Sequence, residues 1–292
     1  MTTRAASSSK TNNPTLAALT AHPLPGVRVR GRIALEGRSF DDPLVRADRA
    51  LVPGTSPVRD ILDAQYPAGY WMHRGLGISP RYRATVWQVL FLAQLGVGSV
   101  PEVECALTTV CSENRDAEGA LRVRKGPGGR SPALTAAILW AVGMLGLADA
   151  GTWQQTWDWL ALQLAAGDPL PPAALVWLAR ASAIWRREEQ LGGAGALAQR
   201  LQAAGPQGLL PALSFPLTHR PDVLGWMQAL VELGYAALIP SAALASLQGR
   251  RRHDGFWSLE HVPGRLWFDA GCVGEANPWI TVRALAVLHE LD

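Results

Sequence analysis

Polar side chains gather just before apolar stretches of this sequence, or in the first turn of such a stretch: Tyr82, Arg83, His219, Asp222 and Arg283. The first turn of a helix attracts anions because its backbone N–H groups are unpaired. Arg83 and Arg283 therefore predict a binding site for a phosphate or carboxylate group. The alternative is structural, with the same arginines pairing with acids such as Asp222 and fixing the joints between helices. The sequence alone leaves both interpretations open.

Tryptophan dominates the aromatic residues, with twelve tryptophans against four tyrosines and five phenylalanines. Trp87, Phe215, Trp226 and Trp279 lie near the polar residues above, which predicts that they line the mouth of a ligand cavity. Aromatic faces there would stabilise a cationic ligand. The alternative is that the tryptophans fill space between two layers of helices.

Few side chains in the sequence are candidates for acid catalysis or for binding a metal ion. Asp222 and Asp269 are the candidate catalytic acids, because each lies just before or within a predicted joint. Asp269, Cys272 and His289 are the right residue types for a three-ligand zinc site with one open position. Cys272 serves equally well as a small loop residue, and the sequence carries no Gly-rich phosphate loop. We therefore expect no metal and no cofactor.

The composition limits the classes of protein to which this chain can belong. Of its 292 residues, 48% are hydrophobic and 17% are charged, against about a quarter charged in ordinary globular domains. This balance favours helices with wide buried faces. The net charge is +3, and the arginines are scattered apart from a triplet at residues 250–252. Because recognition of nucleic acid needs a basic face, we expect no nucleic-acid partner.

The N-terminal residues and the cysteines indicate the cellular location. Residues 1–25 are rich in Ser, Thr, Ala and Asn and lack the apolar core of a signal peptide, so we expect a disordered tail. Cys105, Cys111 and Cys272 have no zinc-type spacing, which is typical of reduced, cytoplasmic thiols. Residues 131–148 are uncharged but favour a buried helix over a membrane span. A peripheral contact with a membrane stays open.

One apolar segment recurs along the chain. Residues 85–95 align without gaps with residues 281–291, and weaker copies lie at 135–145, 175–185 and 223–233. The copies start 40 to 58 residues apart, which is typical of one helical hairpin per repeat. Since apolar residues occupy nearly the whole circumference of these segments, we expect five roughly parallel helices in one inner ring.

Amphipathic segments alternate with these copies and complete the predicted architecture. They lie at residues 58–65, 101–112, 153–166, 194–204 and 241–248. Charges lie on one side of these segments, such as Asp60, Glu102, Asp158 and Arg200. This predicts an outer layer around the inner ring. We therefore predict an all-α fold of about five helical hairpins in two layers. An open solenoid is the competing arrangement.

Two joints between segments share a pattern of glutamine, glycine and tryptophan: Gln65, Gly69 and Trp71 at the first, and Gln248, Gly255 and Trp257 at the last. Glycine permits the left-handed turn that ends a helix. The glutamine amide can satisfy backbone groups at an adjoining helix end, with the indole packed over it. We expect the two tryptophans at equivalent positions, each in contact with its own glutamine.

This pattern resembles the QW motif of squalene and hopene cyclases. With the stretches 82–88, 214–217, 222–224 and 255–283, it makes residues 57–291 similar to the α/α-toroid superfamily of terpenoid cyclases and protein prenyltransferases. Within that superfamily, short bacterial squalene-cyclase-like proteins are the most similar. The resemblance implies an α/α-toroid over residues 57–292, with residues 26–56 as an extension packed on the barrel. It also implies that the motif residues are structural.

The catalytic motifs of that superfamily are missing from the sequence. It has neither the Asp-x-Asp-Asp run of cyclases that protonate their substrate nor the Asp-Asp-x-x-Asp run that holds magnesium. Asp269, Cys272 and His289 match the ligand types of protein prenyltransferases but not their spacing. The resemblance therefore implies binding of an apolar, isoprenoid-like small molecule. An enzyme with an unrecognised acid or zinc site, and a helical interaction scaffold, are the alternatives.

Overall fold

The computed structural model describes residues 14–126, 128–166 and 169–291. Thirteen α-helices and no β-strand occur in these ranges, which confirms the all-α prediction. None of these helices is long and apolar enough to cross a lipid bilayer. The helices are α1 (Pro14–Thr20), α2 (Pro25–Ala34), α3 (Pro43–Leu51), α4 (Val58–Asp63), α5 (Thr85–Gln94), α6 (Pro101–Glu113), α7 (Pro132–Leu145), α8 (Ala150–Ala165), α9 (Pro172–Trp185), α10 (Ala194–Ala204), α11 (Val223–Glu232), α12 (Ser241–Gly249) and α13 (Pro278–His289).

Proline and capping side chains set where the helices begin. Proline is the first residue of α2, α6, α7, α9 and α13, a position where its fixed φ suits the helix and no N–H is needed. Asp222 and Asn277 accept hydrogen bonds from first-turn N–H groups of α11 and α13. Such a cap stabilises a helix by about 1 kcal/mol. These signals fix the starts of the helices that carry the predicted site.

The five repeated segments form the most buried helices, α5, α7, α9, α11 and α13. Every residue of α5 is buried, and so is every residue of α7 from Leu134 to Leu145. The intervening α4, α6, α8, α10 and α12 bury only part of their surface. The predicted alternation of buried and amphipathic helices is therefore confirmed.

Each buried helix packs against the next one along the chain, α5 on α7, α7 on α9, α9 on α11 and α11 on α13. After α13 the succession continues to α2, which packs against α13. α2 also reaches the end of α5, because a Cβ added at Gly26 would lie 2.1 Å from the Leu95 carbonyl oxygen and 2.9 Å from the Trp279 ring. Only glycine fits at this close approach.

Three of the buried helices run in the same direction. The first half of each meets residues 214–222: Trp177 of α9 donates to the Thr218 carbonyl at 3.0 Å, and Arg283 of α13 pairs with Asp222, the cap of α11. The far ends of the same helices line one cavity, described below. α9, α11 and α13 therefore share one packed end and one open end.

The N-terminal region differs from the prediction. α1 lies within the predicted disordered tail of residues 1–25, but Thr15 and Leu19 are buried and the helix packs on α2. Residues 1–13 lie outside the described ranges. Seven residues are too few to show helical periodicity. Residues 26–56 are predicted to be an extension packed on the barrel. In the structure, their helix α2 lies between α13 and the end of α5.

The sequence of α2 does not look helical. Val27, Arg28, Val29 and Arg30 alternate as residues of a half-buried strand do. In the structure, Arg28 and Arg32 lie one turn apart and both pair with Asp48 of α3, at 2.7 and 2.8 Å. This double ion pair satisfies two arginines on one side of α2, while Val27 and Val29 are fully buried.

The first and last joints are built alike. In each, the tryptophan indole N–H donates to a carbonyl of the preceding helix, and its backbone N–H donates to the threonine that opens the next buried segment. The bonds are Trp71–Ile61 (2.7 Å) and Trp71–Thr85 (3.1 Å) at the first joint, and Trp257–Leu247 (2.8 Å) and Trp257–Thr281 (3.0 Å) at the last. Gly69 and Gly255 have the predicted left-handed backbone, with φ of 79° and 86°. The equivalence of the two tryptophans is confirmed.

The two glutamines of these joints are not equivalent. The Gln65 amide donates to the Glu102 carbonyl in the first turn of α6, at 2.9 Å. Gln248 is exposed at the end of α12. The prediction of a helix-end role therefore applies to Gln65.

The middle joints use other residues for the same bonds. Before α7, the backbone N–H of Leu121 donates to the Thr135 hydroxyl at 2.9 Å, with leucine in place of tryptophan. Before α11, the Trp226 indole donates to the Leu201 carbonyl of α10 at 3.0 Å. Trp226 belongs to α11 itself, so at this joint the indole bond to the preceding helix comes from the helix that follows the joint.

Candidate functional site

Tyr82, Trp87 and His219, three of the predicted ligand-binding residues, form one aromatic cluster. The Trp87 ring lies 5.3 Å from the ring of Tyr82 and 5.3 Å from that of His219, and its indole donates to the Ile78 carbonyl at 2.8 Å. Burial, and then the charges of Arg220 and Arg81, lower the pKa of His219 to about 4. The cluster is therefore neutral and closely packed.

Arg83 does not form the predicted anion site. Its guanidinium lies over the ring of Trp267, with Cζ 3.8 Å from the ring centroid. The Trp267 indole in turn donates to the Arg83 carbonyl at 2.9 Å. Arg83 thus fastens the loop before α13 to the start of α5.

Arg283 and Asp222 form a buried ion pair, which agrees with the structural interpretation of these residues. Asp222 is 0% exposed and accepts four hydrogen bonds: two from Arg283 (2.5 and 3.1 Å) and one each from the backbone N–H groups of Ser214 and Gly225 (both 2.8 Å). Since a carboxylate has about four acceptor sites, none is left for a substrate. Asp222 is therefore arranged as a lock between α11 and α13, not as a catalytic acid.

Phe215 and Trp279 stack face to face beside this ion pair, with ring centroids 5.2 Å apart and planes 4° apart. The side chain of Gln94 fastens the same loop to α5, because its amide accepts from the Leu217 N–H at 2.6 Å and donates to the Leu217 carbonyl at 2.8 Å. With Trp226 bonded to α10, the predicted ligand-binding residues lie together at one end of the buried helices. Most of them are used in packing.

The candidate zinc ligands are not brought together. Asp269 and Cys272 are exposed in the loop before α13, and Asp269 accepts the Gly271 N–H at 2.8 Å. His289 is the last residue of α13, about 17 Å along the helix from its start at 1.5 Å per residue. Among the residues placed by the structure, no three potential metal ligands gather.

A cavity of about 400 Å³ lies at the opposite end of the buried helices, where α7, α9, α11 and α13 end. We refer to it as the large cavity. Its wall is mostly apolar, with polar groups from four residues. The lining residues are Arg30, Ile33, Ala34, Phe40, Met144, Ala183, Ile184, Gln228, Val231, Glu232, Ala286 and Glu290.

A second space of about 20 Å³, the small cavity, lies deeper between the helices. This volume is enough for one water molecule. Arg30 lines both spaces and so lies at their boundary. Three of the predicted ligand-binding residues reach the small cavity. Its lining residues are Arg30, Gln94, Trp140, Arg180, Phe215, Leu217, Trp279, Val282 and Arg283.

The arginines around the small cavity differ in their partners. Arg180 is 2% exposed and makes two hydrogen bonds of 3.0 Å to Glu232. Arg30 instead donates to the Met144 sulfur at 3.4 Å and lies 5.8 Å from the ring of Trp140. Burial, and next the charge of Arg180, lower the pKa of Arg30 to about 10. Arg30 therefore keeps its positive charge at neutral pH.

Sequence reasoning missed Arg30, Arg180 and Glu232. One signal was present, because Arg180 is the single charged residue within the otherwise apolar helix α9. A charged residue is almost never fully buried unless it is paired. That position should have indicated a polar group at the centre of the buried helices.

Comparison with known proteins adds no assignment. No protein-family model matches the sequence, and no curated protein is similar to it. The two cavities and the charges around them therefore carry the functional assignment.

Proposed function

We propose that this chain is an α/α-toroid protein, similar to squalene cyclases, that binds an apolar small molecule in the large cavity. The succession of packed helices from α5 to α13, with α2 between α13 and the end of α5, supports such a ring. It favours six inner helices, one more than the five sequence repeats indicated. The open solenoid is disfavoured, because in a solenoid the end of the first buried helix, α5, and the last buried helix, α13, would not both contact α2.

The large cavity is the observation that carries this proposal. Its volume of about 400 Å³ falls within the 300–1,000 Å³ typical of small-molecule sites. Phe40, Met144, Ile184 and Val231 supply apolar surface from four different elements. An apolar ligand would gain about 25 cal/mol for each Å² removed from water.

The state of the candidate acids favours binding over catalysis. Asp222 has all its acceptor sites filled by protein donors. Asp269 is exposed in a loop that precedes α13, whereas the large cavity lies where α13 ends. Neither carboxylate lines the large cavity, so neither could protonate a molecule bound there.

Thermal-shift measurements with farnesol, geranylgeraniol and squalene test the proposal. A ligand at 100 times its Kd stabilises the folded protein by about 2.7 kcal/mol, so at least one should raise the melting temperature. Ala183→Phe, which fills the large cavity from α9, should abolish the shift. Ala245→Phe on the exposed side of α12 is the matched control and should retain it. No shift in the wild type, or an unchanged shift in Ala183→Phe, would overturn the proposal.

A further inference from the structure

Three arginines line the small cavity, but only two of them have a carboxylate partner. Arg180 pairs with Glu232 and Arg283 pairs with Asp222. Within the described ranges, no carboxylate lies within ion-pair distance of Arg30. Because an unpaired charge is costly to bury, Arg30 is the group at this site that lacks a counterion.

Trp140 provides a donor without a hydrogen-bond partner at the same place. Its side chain is 1% exposed and lines the small cavity. Among the residues that the structure places, nothing accepts a hydrogen bond from its indole N–H. Buried polar groups are paired in the large majority of cases. A cation without a counterion and an indole N–H without an acceptor in the described chain, both on one small space, indicate an anionic acceptor that comes from outside the chain.

We infer that the ligand of the large cavity carries a single carboxylate, which pairs with Arg30 at the inner end of the cavity and accepts from Trp140. The inference rests on the proposed function. Guanidinium groups present parallel N–H donors that match the two oxygens of a carboxylate. The apolar body of the ligand would then lie against Phe40, Met144 and Ile184.

The charge balance favours one negative charge over several. Of the three arginines that line the small cavity, only Arg30 lacks a carboxylate among the described residues, so one carboxylate balances their charge, whereas a diphosphate would bury further charge without a counterion. Glu232 is already engaged by Arg180. Glu290 lies exposed at the outer rim of the large cavity, where solvent screens its charge.

A matched pair of fluorescent probes, cis-parinaric acid and its methyl ester, tests the inference. The two have the same apolar chain, and the acid alone carries a charge. The wild type should bind the acid about 10- to 100-fold more tightly than the ester, as expected for charge-assisted hydrogen bonds. Arg30→Met should reduce acid binding to the level of the ester, and Arg30→Lys should reduce it partly. Arg46→Met, at an exposed position of α3, is the control and should leave the preference unchanged.

Each other outcome overturns a defined part of the assignment. Equal binding of acid and ester by the wild type would contradict a carboxylate on the ligand. It would still agree with the proposed binding of an apolar molecule. If Arg30 makes the protein bind hexadecyl phosphate more tightly than the acid, the charged group of the ligand is a phosphate and not a carboxylate. Failure of both probes and of the neutral ligands overturns the proposed function itself. Arg30→Met should also raise the melting temperature of the free protein, and a loss of several degrees would show that Arg30 is structural.

Discussion

The two ends of the buried helices contain similar residue types and use them differently. At the packed end, Arg283 has Asp222, Arg83 lies on Trp267, and each cation is covered by protein. At the open end, Arg30 lies against Trp140 and the large cavity, with no carboxylate partner among the described residues. The packed end has the greater density of polar and aromatic groups, yet the open end has the arginine of the small cavity that lacks a carboxylate partner in the described part of the chain.

This difference shows what distinguishes a site from a joint. Polar residues at helix ends are often used in capping and in holding loops, as Asp222 is at the start of α11 and Gln94 at the end of α5. A binding site needs donors or acceptors that the protein leaves unpaired next to accessible volume. A cation without a counterion in the described ranges, beside accessible volume, and not the number of polar groups, therefore distinguishes the open end.

The same substitution at the two ends should give opposite results. Arg283→Met leaves Asp222 as a buried carboxylate without its cation, and we expect a loss of about 3–5 kcal/mol in the free energy of unfolding. Arg30→Met removes an unpaired cation and should cost nothing. Chemical denaturation of both variants measures this difference. A similar loss in the free energy of unfolding for the two variants would mean that Arg30 stabilises the fold as Arg283 does.

The contribution of individual hydrogen bonds at the packed end to the free energy of unfolding should also be measurable. Trp226→Phe removes one of the hydrogen bonds that the Leu201 carbonyl accepts, the other being from the Gly205 N–H, and we expect a loss of about 1 kcal/mol. Trp257→Phe should lose a similar amount, because its indole makes the equivalent bond to Leu247. Trp157→Phe is the control, since in the described ranges the buried Trp157 indole has no acceptor. A loss as large in Trp157→Phe would assign the effect to packing instead.

His219, at the packed end, should make the free energy of unfolding depend on pH. Its pKa is lowered from 6.5 to about 4 in the folded state, so the unfolded chain binds a proton in this range that the folded chain does not. Stability should therefore fall as the pH falls from about 6.5 towards 4. His219→Phe should lack this contribution, and the variant should gain about 1 kcal/mol on the wild type between pH 7.5 and pH 5. Parallel unfolding curves for the two proteins would contradict the expectation.

The helices were predictable because their signals are local. The recurring apolar segments identified α5, α7, α9, α11 and α13, and the glycine and tryptophan pattern identified the first and last joints. α2 escaped notice because its arginines alternate with valines, and the ion pairs with Asp48 that make this tolerable come from α3. A pattern within one segment does not reveal a partner in another.

The site was less predictable because it depends on tertiary packing. Asp222 and Arg283 were named from the sequence, but their pairing across 61 positions decided between a ligand site and a lock. Met144, Ala183 and Val231 have the same apolar character as neighbours that are fully packed. Whether such a residue meets another helix or a cavity depends on how the helix ends are spaced, which residue type does not determine.

The contact between α2 and α13 sets a condition on how the chain can fold during synthesis. α2 ends at Ala34 and its partner α13 begins at Pro278, so almost the whole chain must emerge from the ribosome before they can meet. At about 5–20 residues per second, α2 waits for tens of seconds. During that time α2 lacks one of the helices against which it packs in the native state, and the charge of Arg30 helps to keep this nascent segment in water.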